Sequence, residues 1–534
     1  MIGHGSRHFA CLIVFLAWGI SGAGQVSVTT YHNDNSRTGQ NLQETILTPA
    51  NVNATNFGKL FSRSLDGYSY GQPLYVPNVT IPNQGTHNVV YVVTMNDIVY
   101  AFDADSNTGG NAKPLWMVNF TDPSQGITAV PTVDLHCPDP ITNHVGIFST
   151  PVIDTTNNTI FVVARTLESG AYYFRLHALD ITTGAEKFGG PVAITASVAG
   201  TGTGAQGGKI TFNAQLENQR AALLLQNDLV YISFGSLCDY GAYHGWLMAY
   251  SETSLTQSAV WLITPNGNRG AIWQGGNGPA GDDLYNTYVS VANGTFDVEN
   301  GGIDYGESVV KLGPPSGGAF PILDYFTPYN YSFYDSKDLD LGSSGLVLLP
   351  TQTGTFSNLL VQGDKAGDMF LINSNDMGHY NSGNNDQIVQ YLAGVDSGMW
   401  SSPAWWNNYV YIGAQDDSIA AYSFNPSLEL LSTTPTSETT EKFGYPGTTV
   451  SISADGTSNG IVWALNNSTY KSATGEASLH AYKATDLASS LYSSETDAQR
   501  DNPGAAIKFT VPTIANGKVY ITTQEHLVVY GLLN

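Results

Sequence analysis

Two short glycine motifs are the first places in this sequence where chemistry could be encoded. Residues 67–71 read Gly-Tyr-Ser-Tyr-Gly, the spacing of a nucleophilic serine on a sharp turn. Such a serine needs a helix after it, but a proline and an apolar strand pattern follow here. Residues 202–207 read Gly-Thr-Gly-Ala-Gln-Gly, the spacing of a dinucleotide-binding loop, yet a strand-like segment, 209–212, follows instead of a helix. Both contexts argue against a serine hydrolase and against a nucleotide site.

The elements that could position other reactive groups come from a weak internal repeat. Roughly every 40 to 60 residues a small residue with proline is followed by an apolar strand, a turn, a second strand and a third strand. The pattern is clear in VVYVVT (89–94) with IVYAFDA (98–104), and again in VPTIANGKVYITT (511–523) with HLVVYGL (526–532). One such meander cannot bury both of its faces alone, so the repeat predicts sheets packed radially in a β-propeller.

The number of repeats predicts eight blades. Full copies begin near residues 71, 146, 218, 271, 338, 396 and 445, and an eighth copy near 508 has three strands only. The missing outer strand can come from GKLFSRSLDG (58–67), which would close the ring with strands from both termini. We therefore expect an all-β, eight-bladed propeller as one domain over residues 25–534, with seven blades as the alternative.

Charge and the first residues indicate where the protein acts. Lys and Arg total 20 against 44 Asp and Glu, a net charge of −24, which argues against binding nucleic acid or an anionic membrane. Residues 1–24 have the pattern of a secretory signal peptide, and their apolar run (9–20) is too short to span a bilayer. We expect a secreted, extracellular monomer without a membrane span.

Cysteines and glycosylation sequons fit export. Cys11 leaves with the signal peptide, so Cys137 and Cys238 remain and predict one disulfide, with two separate buried thiols as the alternative. On a propeller both cysteines fall in connections on the same face. The sequence also predicts a glycoprotein, because eight asparagines head N-x-S/T triplets: Asn53, Asn78, Asn119, Asn157, Asn293, Asn330, Asn466 and Asn467.

The repeat resembles that of a known enzyme family. VVYVVTMNDIVYAFDA (89–104), followed by a strand with Trp116, resembles the pyrroloquinoline quinone (PQQ) repeat. Over about residues 58–534 the chain is similar to the eight-bladed quinoprotein alcohol dehydrogenase-like propellers. The resemblance implies PQQ and Ca²⁺ as cofactors and a small alcohol or sugar as substrate.

The resemblance also implies roles for five residues. Asp239 takes the position of the family's calcium-binding carboxylate, Trp273 that of the tryptophan under the quinone, and Asn293 that of an amide calcium ligand. Asp340, a better match than Asp338, takes the position of the catalytic base. Lys365 takes the position of a basic residue that contacts the quinone.

Strand order provides a separate reason to group these residues. Trp273 and Asp340 stand at starts of predicted innermost strands, whereas Asp239, Asn293 and Lys365 stand at ends of second strands. All five should therefore face one mouth of the central channel. A carboxylate and an amide oxygen suit Ca²⁺, and an aspartate can take the alcohol proton. Together with the resemblance, this placement predicts a quinoprotein-like dehydrogenase.

One departure from the family keeps an alternative open. The family's adjacent cysteine pair is absent, since residues 135–140 read Leu-His-Cys-Pro-Asp-Pro. The alternative is a non-catalytic extracellular propeller that binds a glycan or a protein through aromatic residues around Trp400, Trp405 and Trp406.

Overall fold

A computed structural model describes Met1 and residues 25–137, 142–472 and 474–533. The predicted signal peptide, apart from Met1, lies outside the described residues, as does the segment 138–141. Within these ranges the chain forms eight radially arranged sheets, each built on four antiparallel strands labelled A to D from the channel outward. Five of the eight sheets carry one additional short strand. The predicted all-β, eight-bladed propeller is confirmed, and the seven-bladed alternative is wrong.

Each blade is a meander formed by consecutive segments of the chain. The strands A to D are Leu74–Ile81, Gly85–Val93, Ile98–Asp103 and Trp116–Asn119 in blade 1; Val152–Asp154, Thr159–Glu168, Ala171–Asp180 and Val192–Ala193 in blade 2; Leu224–Gln226, Leu229–Ser236, Trp246–Ser251 and Gln257–Leu262 in blade 3; and Ala280–Gly281, Thr287–Ser290, Val309–Leu312 and Ile322–Thr327 in blade 4. They are Leu346–Leu348, Leu359–Gly363, Met369–Asn373 and Gln390–Leu392 in blade 5; Ala404–Trp406, Tyr409–Gly413, Ile419–Asn425 and Ser437–Glu438 in blade 6; and Ser451–Asp455, Ser458–Asn466, Ser478–Lys483 and Asp486–Ser493 in blade 7.

Short elements decorate the blades. The additional strands are Gln40–Asn41, Ile127–Ala129, Ser197–Ala199, Lys209–Thr211, Glu217–Asn218, His379–Tyr380 and Leu430–Leu431. The helices are Tyr331–Lys337 and Ala498–Asp501, with 3-10 turns at Gly109–Ala112, Pro123–Gln125, Thr132–Leu135, Gln274–Gly276, Val298–Asn300 and Leu341–Ser343. Across the described ranges, none of the helices has the length and apolar character needed to cross a membrane.

Blade 8 closes the ring with strands from both ends of the chain. Its strands A to C are Thr513–Ala515, Lys518–Thr522 and His526–Leu532, and its outer strand is the N-terminal Phe57–Ser64. The outer pair is antiparallel, with Phe57 opposite Leu532 and Ser64 opposite His526. The predicted closing strand is therefore present. It begins one residue earlier than the predicted range 58–67 and ends three residues earlier.

Alternate side chains of each inner strand pack against the two neighbouring blades. In blade 3, Val230, Ile232 and Phe234 belong to the core shared with blade 2. Tyr231 and Leu247 belong to the core shared with blade 4. Because both faces are buried, these strands read as almost continuous apolar runs. Each such side chain contributes roughly 1.5–3 kcal/mol on burial, so the stacking of blades stabilises the ring.

A segment that the sequence reasoning missed ties the ring together from inside. Residues 28–41, here called the channel strap, form hydrogen bonds with the innermost strands of blades 1 to 8 in order. Backbone bonds join Val28 with Tyr75 (2.8 Å in both directions), Thr29 O with Ile153 N (2.8 Å), Asn35 O with Gly281 N (2.8 Å), Ser36 O with Leu348 N (2.9 Å), Thr38 O with Trp405 N (2.8 Å) and Gly39 O with Ile452 N (2.8 Å). The Asn35 and Asn41 side chains donate to Leu225 O of blade 3 (2.9 Å) and to Ile514 O of blade 8 (3.1 Å).

Asp396, in the connection between blades 5 and 6, offers a pH test of the packing. Burial, reinforced by the charge of Asp417, raises the pKa of Asp396 to about 7. Between the unfolded pKa of about 4 and the raised folded pKa, the folded state holds a proton that the unfolded state has lost. Such a carboxyl therefore lowers the free energy of unfolding as pH rises through this range. Asp396→Asn should therefore raise the free energy of unfolding by up to about 4 kcal/mol above pH 7 and leave it unchanged below pH 4.

Urea denaturation of wild type and Asp396→Asn at several pH values between 4 and 8 measures this difference. The exposed neighbour Asp416, changed to Asn, is the matched control and should show no such trend. An Asp396→Asn advantage that stays constant over this pH range would contradict the raised pKa.

Candidate active site at the channel mouth

A cavity of about 270 Å³ opens at the mouth of the channel, on the face that carries the D-to-A connections and the B-to-C turns. Its walls include all five residues singled out in the sequence: Asp239, Trp273, Asn293, Asp340 and Lys365. They come from three consecutive blades, although they are spread over more than a hundred residues of chain. The structure therefore brings the five together, while their chemical roles remain predictions.

Loops directly outside the strands position these side chains. Strand B of blade 3 ends at Ser236, strand B of blade 4 at Ser290 and strand B of blade 5 at Gly363. Asp239, Asn293 and Lys365 follow within three residues of these ends. The backbone at Asp239 has the left-handed conformation (φ 51°), which turns its carboxylate toward the cavity wall.

Trp273 and Asp340 each precede a 3-10 turn that leads into an A strand. The turns are Gln274–Gly276 and Leu341–Ser343. Glycine is required where these turns approach other backbone: a Cβ at Gly342 would lie 2.4 Å from the Ala292 nitrogen, and one at Gly275 would lie 2.2 Å from the Trp400 carbonyl oxygen. The two turns thus pack tightly enough to hold Trp273 and Asp340 in fixed positions.

An ion-pair cluster occupies one side of the cavity. The Lys365 ammonium contacts the Asp340 carboxylate and lies 3.2 Å from Asp338 Oδ2. The Asn293 backbone N–H donates to Asp340 Oδ1 (3.4 Å), and its side-chain amide donates to Asp338 Oδ1 (3.2 Å). Asp340 is 8% exposed, whereas the Asp338 side chain is 61% exposed. Asp340 is therefore the buried member of the pair.

The electrostatics of this pair follow from its burial. Burial raises the pKa of Asp340, and the adjacent Lys365 ammonium opposes the rise. For Lys365, burial lowers the pKa but the Asp340 and Asp338 carboxylates outweigh it, so the net pKa is raised. Lys365 therefore stays charged near neutral pH and fixes the orientation of the Asp340 carboxylate.

Asp239 is oriented by two hydroxyl groups. Ser236 Oγ and Tyr243 Oη both donate to Asp239 Oδ1, each at 2.7 Å. Among the described residues, none donates a hydrogen bond to Asp239 Oδ2 or to the Asn293 side-chain oxygen. These two oxygens are the ones that could bind a cation. In the described part of the chain, no group of three or more His, Cys, Asp or Glu side chains is arranged to hold a metal ion.

Glu307 is a buried acid behind the cavity that the sequence reasoning missed. Its side chain is inaccessible to solvent, and Oε2 accepts a hydrogen bond from the Leu341 N–H (2.7 Å), next to Asp340. Burial, reinforced by the Asp340 charge, raises the pKa of Glu307 well above its usual range. The site therefore gains a neutral hydrogen-bonding group rather than another negative charge.

Aromatic side chains form the remaining walls. The Trp273 ring meets Trp400 (centroids 6.4 Å apart, 88° between planes) and Phe509 (5.1 Å, 82°) edge to face. Trp400 meets Tyr445 at 5.5 Å and has the Lys365 ammonium 4.6 Å from its ring centroid. Lys508 also lines the cavity. The sequence reasoning did not assign Tyr445, Lys508 or Phe509 to the site.

A repeat-based signal could have found these wall residues. Trp400, Tyr445 and Phe509 stand in the connections that precede the A strands of blades 6, 7 and 8. Trp273 and Asp340 hold the corresponding places before blades 4 and 5. Aligning the repeats on their A strands would have marked every such connection as a wall of the channel mouth.

Two of the tryptophans assigned to the alternative binding face are in the core. Trp405 and Trp406 are 4% and 1% exposed, and they belong to the hydrophobic cores on opposite sides of blade 6. As neighbours on an A strand they point to opposite faces of the sheet, so each is covered by an adjacent blade. The prediction of a binding surface that includes them is wrong, and Trp400 alone of the three lines the cavity.

The predicted disulfide is present at the rim. Cys137, in the connection between blades 1 and 2, is bonded to Cys238 in the B-to-C turn of blade 3, with Cα atoms 5.3 Å apart. Cys238 lines the cavity and directly precedes Asp239. The crosslink therefore attaches the loop that carries Asp239 to a neighbouring blade.

The eight-bladed fold is similar to that of solved alcohol dehydrogenase structures. No protein-family model matches the chain, and no curated protein sequence matches it. Among solved structures, it is similar to a quinohemoprotein alcohol dehydrogenase of Pseudomonas putida HK5 (TM-score 0.59) and to one of Comamonas testosteroni (TM-score 0.58). Each of the two is 13% identical to this chain, and the similarity covers 95% of this chain and 80% of the other.

A third similar structure is a europium-containing methanol dehydrogenase. It has a TM-score of 0.56 and 13% identity, over 95% of this chain and 98% of the other. At this level of identity the similarity shows a shared fold, which confirms the fold expected from the repeat.

Proposed function

We propose that the protein is an exported quinoprotein-like dehydrogenase that oxidises an alcohol or a sugar with PQQ and Ca²⁺. The observation that carries this proposal is a single cavity that combines three features. They are an aromatic wall, a buried carboxylate held by a lysine, and two oxygen atoms that no described residue hydrogen-bonds. The shared fold with alcohol and methanol dehydrogenases supports the same class of reaction.

The cavity suits a flat, negatively charged quinone. Trp273, Trp400 and Phe509 provide rings for packing, and Lys365 provides an ammonium group that can contact a carboxylate of the ligand. Its volume of about 270 Å³ matches a compact ligand better than an extended one. We assign Trp273 and Lys365 to quinone binding.

The donor chemistry of the site also suits Ca²⁺. Asp239 offers a carboxylate oxygen and Asn293 an amide oxygen, the hard ligands that this ion prefers. Because Ca²⁺ takes roughly six to eight oxygens, the quinone and water would have to complete its coordination. We assign Asp239 and Asn293 to metal binding.

The residues of this chain would then handle the proton of the substrate. PQQ, when bound, supplies the two-electron acceptor for the hydride that leaves the alcohol carbon. Asp340 accepts the hydroxyl proton on its carboxylate, and the raised pKa makes it a stronger base than an ordinary aspartate. Lys365 holds that carboxylate toward the cavity, and the aromatic walls limit the access of water.

The test uses the purified wild-type protein with PQQ and CaCl₂. PQQ binding is measured by calorimetry, and reduction of an artificial dye is measured across a panel of alcohols and sugars. We expect PQQ to bind and at least one substrate to reduce the dye, with loss of turnover after chelation of Ca²⁺. A wild-type protein that binds no PQQ would refute the proposal.

A non-catalytic extracellular propeller is the second candidate. It is favoured by the missing adjacent cysteine pair and by an aromatic cavity able to stack on a sugar ring. Suppose that the protein does not bind PQQ, but a glycan binds in the cavity and is never oxidised. That result would favour this candidate over the dehydrogenase.

Export would also place glycans at particular sequons. Asn78, Asn119 and Asn157 are exposed, whereas Asn293 and Asn467 are each 4% exposed. The buried pair also donate their side-chain amides, Asn293 to Asp338 and Asn467 to Thr510 (3.0 Å).

In a eukaryotic secretion host we expect glycans at the three exposed asparagines and none at the two buried ones. Mass spectrometry of peptides after enzymatic deglycosylation measures occupancy at each asparagine. A glycan at Asn293 would contradict both its burial and its assignment to metal binding.

A further inference from the structure

Arg220 is a buried cation beneath the cavity for which the proposed chemistry has no role. It is 1% exposed, and among the described residues no acidic side chain lies within ion-pair distance. Burial lowers the pKa of Arg220 to about 10, so the guanidinium remains charged at neutral pH. By contrast, the charge of Lys365 is offset by two aspartates.

The guanidinium joins three connections that each contribute to the aromatic wall. It donates to the carbonyl oxygens of Phe148 (3.4 Å), Gly275 (3.5 Å) and Phe509 (3.3 Å). Phe148 and Phe509 themselves line the cavity, and Gly275 lies two residues after Trp273. A substitution of Arg220 therefore removes hydrogen bonds to the three connections that follow blades 1, 3 and 7.

Packing fixes the guanidinium against the back of the wall. Its central carbon lies 5.0 Å from the Phe148 ring centroid and 5.6 Å from that of Phe509. A Cβ at Gly276 would lie 2.5 Å from the guanidinium atoms, so only glycine leaves room there. A positive charge held in this dry environment acts on the cavity with little screening by solvent.

We propose that Arg220 is a positioning residue that makes the cavity selective for flat anionic ligands over neutral ligands of the same shape. It does so by anchoring the three connections that form the wall and by supplying an uncompensated positive charge behind it. The identification of the natural ligand with an anionic quinone rests on the proposed function, but the selectivity itself does not.

The test compares two fluorescent probes that differ by one sulfonate, 1-anilinonaphthalene-8-sulfonate and the neutral N-phenyl-1-naphthylamine. We expect Arg220→Met to weaken binding of the anionic probe about tenfold and binding of the neutral probe much less. Arg220→Lys keeps the charge but loses the three-way anchor, so it should weaken both probes while preserving their affinity ratio. PQQ affinity should follow the anionic probe.

Arg165→Met is the matched control. Arg165 is equally buried and donates to two carbonyl oxygens, Ala214 O (2.7 Å) and Gln215 O (2.8 Å), but neither of these partners lines the cavity. This control should leave the probe ratio unchanged. Near-UV circular dichroism and the melting temperature report folding of each variant, and Arg220→Lys tests the ratio if Arg220→Met does not fold.

An unchanged probe ratio in Arg220→Met, or a ratio lost equally in Arg220→Lys, would overturn the inference. A wild-type protein that discriminates the two probes but binds no PQQ would refute the proposed function and leave the selectivity of Arg220 intact.

Discussion

Replacing Asp340 by asparagine should lower kcat about a thousandfold, with little change in PQQ affinity or melting temperature. An amide has nearly the same shape and can still lie beside the Lys365 ammonium, but it cannot accept a proton from the alcohol. Lys365 keeps its second partner, Asp338, so the variant leaves no unpaired cation. Steady-state dye reduction with saturating PQQ and Ca²⁺ measures the loss.

Asp338→Asn is the matched control for this experiment. Asp338 is two residues away and contacts the same lysine, but its side chain is far more exposed. Its kcat should stay within a few fold of wild type, since an exposed partner adds little to the orientation of Lys365. If the two variants lost activity equally, or if Asp340→Asn kept it, Asp340 would not be the base.

Deleting residues 25–41 should abolish stable folding at 25 °C. The channel strap bonds with the innermost strand of every blade, and its removal unpairs backbone groups in at least six blades. At roughly 1 kcal/mol or more for each lost hydrogen bond, the sum approaches the total stability of an ordinary protein, about 5–15 kcal/mol. Far-UV circular dichroism and size-exclusion chromatography of the truncated chain measure the outcome.

Single substitutions in the channel strap test its contribution to stability more finely than the deletion does. Arg37 is fully buried in the strap and donates to Leu223 O (3.1 Å) and Pro279 O (2.9 Å), so Arg37→Met should cost about 3 kcal/mol or more. Ser36 bonds with blade 5 through its carbonyl only, so Ser36→Ala should be neutral. A truncated chain that melts like wild type would show that closure by Phe57–Ser64 alone holds the ring.

The arrangement of the blades could be predicted because it depends on the apolar pattern of each short strand. Runs such as VVYVVT (89–94) and KVYITT (518–523) are apolar on both faces, and only stacking against neighbouring sheets buries both faces. The incomplete last repeat and the strand pattern near residue 58 likewise predicted how the ring closes.

The gathering of the predicted site also follows from strand order. Positions just after B strands and just before A strands face the same mouth in every blade. The sequence therefore predicts Asp239, Asn293 and Lys365 beside Trp273 and Asp340, and all five line one cavity.

By itself, then, the sequence predicted the eight-bladed ring, its closing strand, the Cys137–Cys238 pairing and the face on which the candidate site lies, with seven blades and two separate thiols as alternatives. Only the tertiary structure decided that the strap threads all eight blades, that Trp405 and Trp406 are core, and that Arg220 lies uncompensated behind the wall. The physical reason is that strand patterns depend on neighbours along the chain. Burial of a single side chain and its partners depends instead on segments far apart in sequence, which meet only when the ring has closed.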